Sequence, residues 1–346
     1  MIEKKDFIKL KLQFLKNFQE EKCMHPDHST CQGVIIRSHT IQKNKALRTI
    51  EENGHVYSLI QKTLTGPIIK LHSEGINEAS TFNGFCKYHD NELFKCIDDY
   101  DFIPTDEQVF MITYRTLARE AYQKQAALNN CNHNNEIIDK IKNPIQKNEI
   151  QKDLEAHKVG IVIGEKELAS ILSKMFVDYQ NKNYSKLKYY LIKTKNFSNV
   201  LTSGFFTPDF DYDHNPINDS FNQTHWISLN IFSDTKNGLI LFSWLEDSKS
   251  EQFVKSLLNT NDYLNKTIEL AFTNIENTYF SKKWWDSLKT VKTNRIYQMS
   301  ENDNHYDENG NYTGIRKNNL NYQDLEIDCI KTNVKSLMQI AKTITI

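Results

Sequence analysis

Cysteine and histidine residues concentrate near the amino end of this 346-residue chain. Four of the six cysteines and six of the 11 histidines lie before residue 97. Thiolate and imidazole are the ligands that Zn²⁺ prefers in proteins, whereas disulfides are rare in chains that stay in a reducing compartment. The uneven distribution predicts an N-terminal module with metal chemistry of its own.

Two pairs of these residues have spacings that suit one tetrahedral ion. Cys86 and His89 form a C-x-x-H pair, which places both side chains one helical turn apart at the start of a helix. Cys23 and Cys31 flank a turn that contains Pro26 and supply a second pair. We therefore expect a structural zinc that stabilises a module too small to hold together by its core alone.

The same residues are also compatible with a different ligand set, or with no metal at all. Seven residues separate Cys23 from Cys31, which is wider than the usual zinc knuckle, so His25 or His28 is an alternative ligand. Without a metal, the cysteines would be small buried apolar side chains and the histidines surface residues.

His39 and Asp90 are candidates for hydrolytic chemistry beside this zinc site. His39 ends the β-branched segment 33–41, which predicts a strand, and Asp90 directly follows His89. A histidine that deprotonates water and a carboxylate that holds Mg²⁺ form a minimal site for phosphodiester hydrolysis. Equally, His39 would serve as a structural histidine bonded to a backbone carbonyl, and a helix N-terminus favours an aspartate at position 90.

The order of these residues resembles the zinc-anchored HNH nucleases, also named His-Me finger or ββα-metal nucleases. The chain shares with these nucleases a cysteine pair, a strand that ends in histidine, and a Cys-x-x-ligand motif followed directly by a polar residue. This resemblance covers about residues 20–96 and implies a treble-clef module. It also implies that His39 is the general base and that Asp90 binds a catalytic Mg²⁺ or Mn²⁺, with Asn83 or Asn91 in support.

The chain departs from that family at three positions. Ser38 stands where the family has an aspartate or histidine metal ligand, His89 replaces a cysteine, and Asp90 replaces a histidine. A treble-clef module without catalytic activity is therefore the alternative interpretation.

Basic residues on both sides of His39 are candidates for phosphate contacts. The 43 Lys and Arg residues against 44 Asp and Glu residues leave a net charge of -1, which excludes nucleic-acid binding through bulk positive charge. A local basic flank remains compatible with that balance, although a solvated helix face accounts for it as well. The flank consists of Arg37, Lys43, Lys45 and Arg48.

Length and hydrophobic patterning predict two domains of the α+β class. We expect a zinc-stapled ββα or treble-clef module over residues 1–107. Residues 108–346 should form a mixed domain, an antiparallel sheet covered by helices. The pattern predicts helices over 108–131, 135–157, 165–191 and 321–341, and a hairpin turn at Asn237-Gly238.

Two further motifs have a structural and a functional interpretation. The acidic loop resembles a site for a hard cation, but its spacing is not that of a calcium loop and Asx-turns account for it better. Trp284-Trp285 is either a recognition surface or, as helical tryptophan pairs usually are, part of the core. The residues of the acidic loop are Asp209, Asp211, Asp213, His214 and Asp219.

The sequence favours a cytoplasmic protein that is not embedded in a membrane, because it has neither a run of about 18 apolar residues nor a signal-peptide pattern. The leading hypothesis from the resemblance is a metal-dependent endonuclease with DNA or RNA as substrate, of the kind found among bacterial defence effectors. The alternative is a non-catalytic zinc module that binds nucleic acid or a protein. A homo-oligomer or a protein partner would then use the C-terminal domain.

Overall fold

The computed structural model describes residues 21–61, 69–138, 144–218, 224–301 and 320–344. Over these ranges the chain is a mixed α+β protein with antiparallel sheets, which confirms the predicted fold class. The chain divides into two compact units, each assembled from separate stretches of sequence. The domain boundary expected at residue 107 stays a prediction. The first unit takes Met1–Ser38, Phe82–Lys95 and Leu117–Asn183, and the second takes His39–Thr81, Cys96–Thr116 and Tyr184–Ile346.

A two-stranded sheet provides the frame of the N-terminal region. Strand β1 (Ile35–His39) pairs with β4 (Thr81–Cys86), and helix α1 (Lys87–Asp98) begins directly where β4 ends. The backbone N–H of Lys87 donates to the carbonyl oxygen of Val34 at 3.0 Å. This bond fixes the first turn of α1 against the chain that enters β1.

Two long helices follow, α2 (Asp106–Ile138) and α3 (Pro144–Gln180). The part of α2 from residue 117 onward and all of α3 belong to the first unit. Phe82 of β4 lies edge-on to Phe85 and packs against Tyr122 of α2, with ring centroids 5.8 and 5.6 Å apart. Within the described ranges, no helix combines the length and the apolar character needed to cross a membrane.

The second unit contains an eight-stranded sheet with the order β10-β5-β8-β7-β6-β9-β2-β3. Its neighbouring strands run antiparallel, including the pair of β2 and β3. The strands are β2 (His55–Gln61), β3 (Ile69–Gly75), β5 (Leu187–Thr194), β6 (Val200–Phe206), β7 (Ile227–Ser233), β8 (Gly238–Leu245), β9 (Thr278–Phe280) and β10 (Ile327–Thr332).

Helices that follow the central strands pack on this sheet and close its core. Trp244 of β8 shares one apolar cluster with helix residues such as Phe253 and Ile268. Trp284 and Trp285 belong to the same cluster, with 6% and 7% of their surface exposed, so the pair is part of the core. The helices are α4 (Ser248–Leu258), α5 (Tyr263–Asn274), α6 (Lys282–Ser287), α7 (Thr290–Glu301) and α8 (Lys335–Ile344).

The β7–β8 hairpin confirms the turn predicted at Asn237-Gly238, with Ser233 paired to Gly238. The carboxylate of Asp234 accepts hydrogen bonds from the backbone N–H groups of Lys236 and Asn237 at 2.6 and 2.7 Å. Glycine is required at 238 by space, because an added Cβ would lie 2.4 Å from the hydroxyl of Thr194. The turn is thus stabilised by the Asp234 carboxylate, and the close contact with Thr194 leaves no room for a side chain at position 238.

Three helix predictions were wrong in detail. The polar segment 129–135 does not separate two helices but lies within α2, where Asn130 and Cys131 are buried. The helix predicted over 165–191 ends at Gln180, and residues from 187 form β5. A strand, β10, and the shorter helix α8 occupy the region where one helix was expected over 321–341. Because β5 is buried between two neighbours, it lacks the polar alternation that identifies a strand.

Candidate metal centre

Three separate stretches of chain bring Cys23, Cys31, Cys86 and His89 together. The backbone of residues 22–24 pairs with β4, since Met24 N donates to the Gly84 carbonyl at 2.7 Å. This pairing brings Cys23 beside Cys86, the last residue of β4. The side chain of His89 follows one turn later on α1, as the C-x-x-H spacing predicts.

The turn that carries Cys31 is built by side-chain capping. Residues His28–Thr30 form a single 3₁₀ turn, and the carboxylate of Asp27 accepts from the backbone N–H of Ser29 at 3.0 Å. The chain then reaches Gly33, whose φ of +79° is a left-handed conformation that glycine adopts without strain. Cys31 is thereby directed back toward the other ligands.

Three thiol sulfurs surround one imidazole nitrogen. The Sγ atoms of Cys23, Cys31 and Cys86 lie 3.4, 3.6 and 3.4 Å from Nδ1 of His89. All four ligand atoms lie within 4.8 Å of one another, and the cysteines form no disulfide. One ring nitrogen has a single lone pair or a single proton, so it cannot bond three sulfurs at once.

A central ion accounts for these distances. A tetrahedron with Zn–S bonds of about 2.3 Å and a Zn–N bond of about 2.05 Å has S···N edges of about 3.6 Å. The observed contacts match that edge. The cluster can therefore hold a metal ion, and nowhere else in the described ranges do three or more Cys, His, Asp or Glu side chains converge in this way.

The electrostatics of the thiols also favour a nearby cation. Burial raises the pKa of Cys86, but backbone N–H groups of His89 and Gln32 outweigh it and bring that pKa below its usual value. Partial burial and the thiols of Cys23 and Cys86 raise the pKa of Cys31 to about 12. The pKa of Cys86 is thus shifted toward the thiolate and that of Cys31 away from it, and a nearby cation would stabilise thiolate charge at both.

The imidazole of His89 is only 3% exposed and is covered by a second histidine. His25 stacks on it with centroids 3.6 Å apart, and His25 in turn meets the edge of Phe176 at 4.9 Å. Burial lowers the pKa of His89, and the charge of His25 lowers it further. Both effects favour the neutral ring, which is the form that binds a metal.

These positions decide between the ligand sets that the sequence left open. His25 lies over the ring of His89, while His28 is exposed to solvent. The cluster is completed by Cys23 and Cys31, so neither histidine replaces a cysteine in it. Sequence reasoning did not foresee that His25 stacks on a ligand, because the spacing of residues carries no signal for ring stacking.

Asp90 lies in the first turn of α1, directly after His89, and is half-buried. Its Oδ1 atom is buried and has no hydrogen-bond partner among the described residues. A buried carboxylate oxygen without a partner is costly, so such an atom is a site for a cation or a water molecule. Of the two supporting residues suggested by the resemblance, Asn83 is half-buried on β4 and Asn91 is exposed on α1.

His39 belongs to the second unit and is half-buried at the end of β1. Its Nε2 lies 3.1 Å from the carbonyl oxygen of Ile76. Because a carbonyl oxygen only accepts, Nε2 carries a proton, and in the neutral ring the lone pair is then on Nδ1. This tautomer suits a general base at Nδ1 and suits a structural histidine equally well.

The four basic candidates differ in their exposure to solvent and therefore to a phosphate. The ammonium group of Lys45 donates to the carbonyls of Ile97 and Tyr100, and that of Lys43 donates to the side chain of Asn77. Arg37 and Arg48 are exposed. The two arginines are thus the more accessible half of the basic flank.

The acidic loop is organised by hydrogen bonds rather than by convergent carboxylates. Asp211 is buried and accepts from the backbone N–H groups of Asp213 and Asn215 and from the side chain of Gln252. These bonds hold the pKa of Asp211 below its ordinary value although burial opposes them. The Asx-turn interpretation is confirmed for Asp211, while Asp219 lies outside the described residues.

Comparisons with protein-family models, with curated proteins and with solved structures found no match for this chain.

Proposed function

We propose that Cys23, Cys31, Cys86 and His89 bind one structural Zn²⁺. The observation that carries this proposal is the arrangement of three sulfurs around His89 Nδ1 at the edge length of a zinc tetrahedron. Thiolate donors favour Zn²⁺ over Mg²⁺ or Ca²⁺, which prefer oxygen. Four protein ligands leave no open coordination position, which is typical of a structural rather than a catalytic zinc.

Elemental analysis of the purified protein tests this proposal. We expect one zinc per chain in the wild type and its loss in Cys86→Ser. Cys329→Ser is the matched control, because Cys329 is an exposed cysteine on β10. A wild-type protein that takes up no zinc when zinc is supplied, or a Cys86→Ser variant that holds as much as the wild type, contradicts the proposal.

We further propose that the chain is a metal-dependent endonuclease that hydrolyses DNA or RNA phosphodiesters. Two observations support it, each from a residue's own surroundings: the protonated Nε2 of His39 leaves Nδ1 as an acceptor, and Oδ1 of Asp90 lacks a partner among the described residues. His39 would take a proton from water as the water oxygen bonds phosphorus and the P–O bond to the leaving oxygen breaks. Asp90 would hold Mg²⁺ or Mn²⁺, which offsets the negative charge that develops.

The test is nicking of supercoiled plasmid and cleavage of a labelled RNA with Mg²⁺ or Mn²⁺. His39→Ala should lower the cleavage rate by about 100-fold or more while zinc content and thermal unfolding stay unchanged. His55→Ala is the control, because exposed His55 also bonds a backbone carbonyl, that of Asn53, at 3.0 Å. The nuclease proposal is contradicted if the wild type cleaves neither substrate, or if His39→Ala cleaves as fast as the wild type.

A second candidate is a non-catalytic zinc module that binds nucleic acid or a protein. The bond from His39 to the Ile76 carbonyl supports it equally, since structural histidines make that bond. Under this candidate the wild type slows the migration of labelled DNA or RNA in a gel without cleaving it.

Under the nuclease proposal, a nuclease module is joined to a second domain, which is the layout of bacterial defence effectors. The second domain would recognise the substrate or a trigger.

A further inference from the structure

The hydroxyl of Thr30 links a backbone carbonyl to the ring of His89. Thr30 Oγ1 lies 2.9 Å from the carbonyl oxygen of Asp27 and 3.0 Å from Nε2 of His89. The carbonyl oxygen only accepts, so the single hydroxyl proton of Thr30 is donated to it. The hydroxyl oxygen then accepts the proton of His89 Nε2–H.

This chain of two hydrogen bonds determines which ring nitrogen of His89 can bind a metal. With the proton held at Nε2, Nδ1 is left with its lone pair. Nδ1 is the atom that faces the three sulfurs at 3.4–3.6 Å. The second ring nitrogen of a metal-binding histidine usually needs such an acceptor to fix the tautomer and ring orientation.

From this geometry we propose that Thr30 is a positioning residue for the metal centre, acting through the tautomer of His89; the inference rests on the proposed zinc site. The turn that brings Cys31 to the ion therefore has a second role, since it also presents the hydroxyl that orients a ligand 59 residues further along the chain. Thr30 itself lies at the surface, whereas His89 is buried. Replacing Thr30 should therefore alter the hydrogen bonding of His89 without exposing the buried side chains around it.

The experiment compares Thr30→Val, which keeps the side-chain shape but removes the hydroxyl, with Thr30→Ser, which keeps the hydroxyl. Zn²⁺ affinity is measured by competition with a chromophoric chelator. We expect Thr30→Val to bind Zn²⁺ about 10- to 100-fold more weakly and Thr30→Ser to stay within a few-fold of the wild type. Ser29→Ala is the matched control, because that hydroxyl bonds the Asp27 carboxylate in the same turn and does not touch His89.

A second readout reports the tautomer directly. Long-range ¹H–¹⁵N spectra of the zinc-loaded wild type should show His89 protonated at Nε2 and metal-bound at Nδ1. A wild type protonated at Nδ1, or a Thr30→Val variant with wild-type affinity, overturns the role of Thr30 even where zinc is bound. A wild type that binds no Zn²⁺ refutes instead the proposed zinc site, so the two failures are distinguishable.

Discussion

The imidazole of His25 lies parallel to that of His89, with ring centroids 3.6 Å apart and an angle of 11° between the planes. His25 is not within the ligand cluster, yet it covers one face of a ligand and lies against Phe176 of α3. The stack thus connects the ligand turn to a long helix of the same unit. Nδ1 of His25 also lies 3.1 Å from both the backbone nitrogen and the carbonyl oxygen of Asp27.

His25→Phe should preserve most of this stacking, whereas His25→Ala should remove it. An aromatic pair contributes about 0.5–1.5 kcal/mol beyond its buried area, so we expect His25→Ala to weaken Zn²⁺ binding by roughly 2- to 10-fold. His28→Ala, at an exposed histidine of the same turn, should have no effect. Equal affinities of His25→Ala and the wild type would show that the stack does not support the ligand.

Removal of the metal should destabilise the wild type and leave Cys86→Ser unchanged. An ion present at about 1,000 times its dissociation constant stabilises the folded state by about 4 kcal/mol. Thermal unfolding with and without a chelator measures this difference. Cys329→Ser should respond to the chelator as the wild type does, and an identical response in Cys86→Ser would contradict binding through Cys86.

Asp90→Asn should separate the catalytic cation from the structural one. The change removes the charge that would hold Mg²⁺ but leaves the neighbouring ligand His89 in place. We expect normal zinc content together with cleavage that needs far more Mg²⁺ or is lost. Glu92→Gln, at an exposed carboxylate of α1, serves as the control. If both variants cleave with the wild-type dependence on Mg²⁺, Asp90 does not hold the cation.

Arg115 and Asp98 form an ion pair that should make stability depend on pH. Burial alone would raise the pKa of Asp98, but the charge and hydrogen bonds of Arg115 outweigh it and lower that pKa. A folded pKa below the unfolded one gives stability that is present above about pH 4 and is lost as the pH falls. Asp98→Asn should therefore cost about 1–2 kcal/mol at pH 7, less than a fully buried pair, because the Asp98 side chain is 37% exposed.

Denaturant unfolding at pH 7 and pH 3 measures this effect. The difference in unfolding free energy between the wild type and Asp98→Asn should shrink at the lower pH, where the wild-type carboxyl takes up its proton. Asp99→Asn provides the comparison at an exposed neighbour. A difference that stays constant over this range would exclude the ion pair as its source.

Two glycine-to-alanine substitutions should have opposite effects. At Gly238 an added Cβ would lie 2.7 Å from the carbonyl oxygen of Asn196 as well as against Thr194, so Gly238→Ala should cost about 1–3 kcal/mol. Gly160 is exposed within α3 and has nothing within 4 Å of an added Cβ, so Gly160→Ala should stabilise the protein by about 1 kcal/mol. Unfolding free energies of both variants check the pair, and a destabilising Gly160→Ala would contradict the helical position.

The cluster of Cys23, Cys31, Cys86 and His89 was predictable because each of its two pairs is close in sequence. Residues three apart at a helix start share a face, which ties Cys86 to His89, and a turn containing Pro26 brings Cys23 toward Cys31. The contact of His25 with His89 was not predictable, because it depends on which ring lies against His89 after folding. For Thr30 the sequence offers one signal, a hydroxyl directly before Cys31, but not the atom that this hydroxyl contacts.

The wrong helix boundaries arose where distant partners decide the structure. β5 pairs with β8 and β10, and β10 lies more than 130 residues further along the chain. Its sequence, LKYYLIKT, is apolar on both faces because both faces are covered, so its local pattern does not distinguish a strand from a buried helix. The turn between β7 and β8 was predicted correctly, because its Asn237-Gly238 signal is local.

All four residues of the proposed zinc site precede residue 90, whereas the hairpin of β2 and β3 lies between them in the chain and pairs with β9 (Thr278–Phe280). During synthesis, which proceeds from the amino end, the ribosome releases every ligand long before it makes that partner strand. An ion bound early would close residues 32–85 into a loop. The chain would then lose less conformational entropy when the hairpin of β2 and β3 pairs with β9. Cellular zinc supply during translation would then govern how much newly made chain matures.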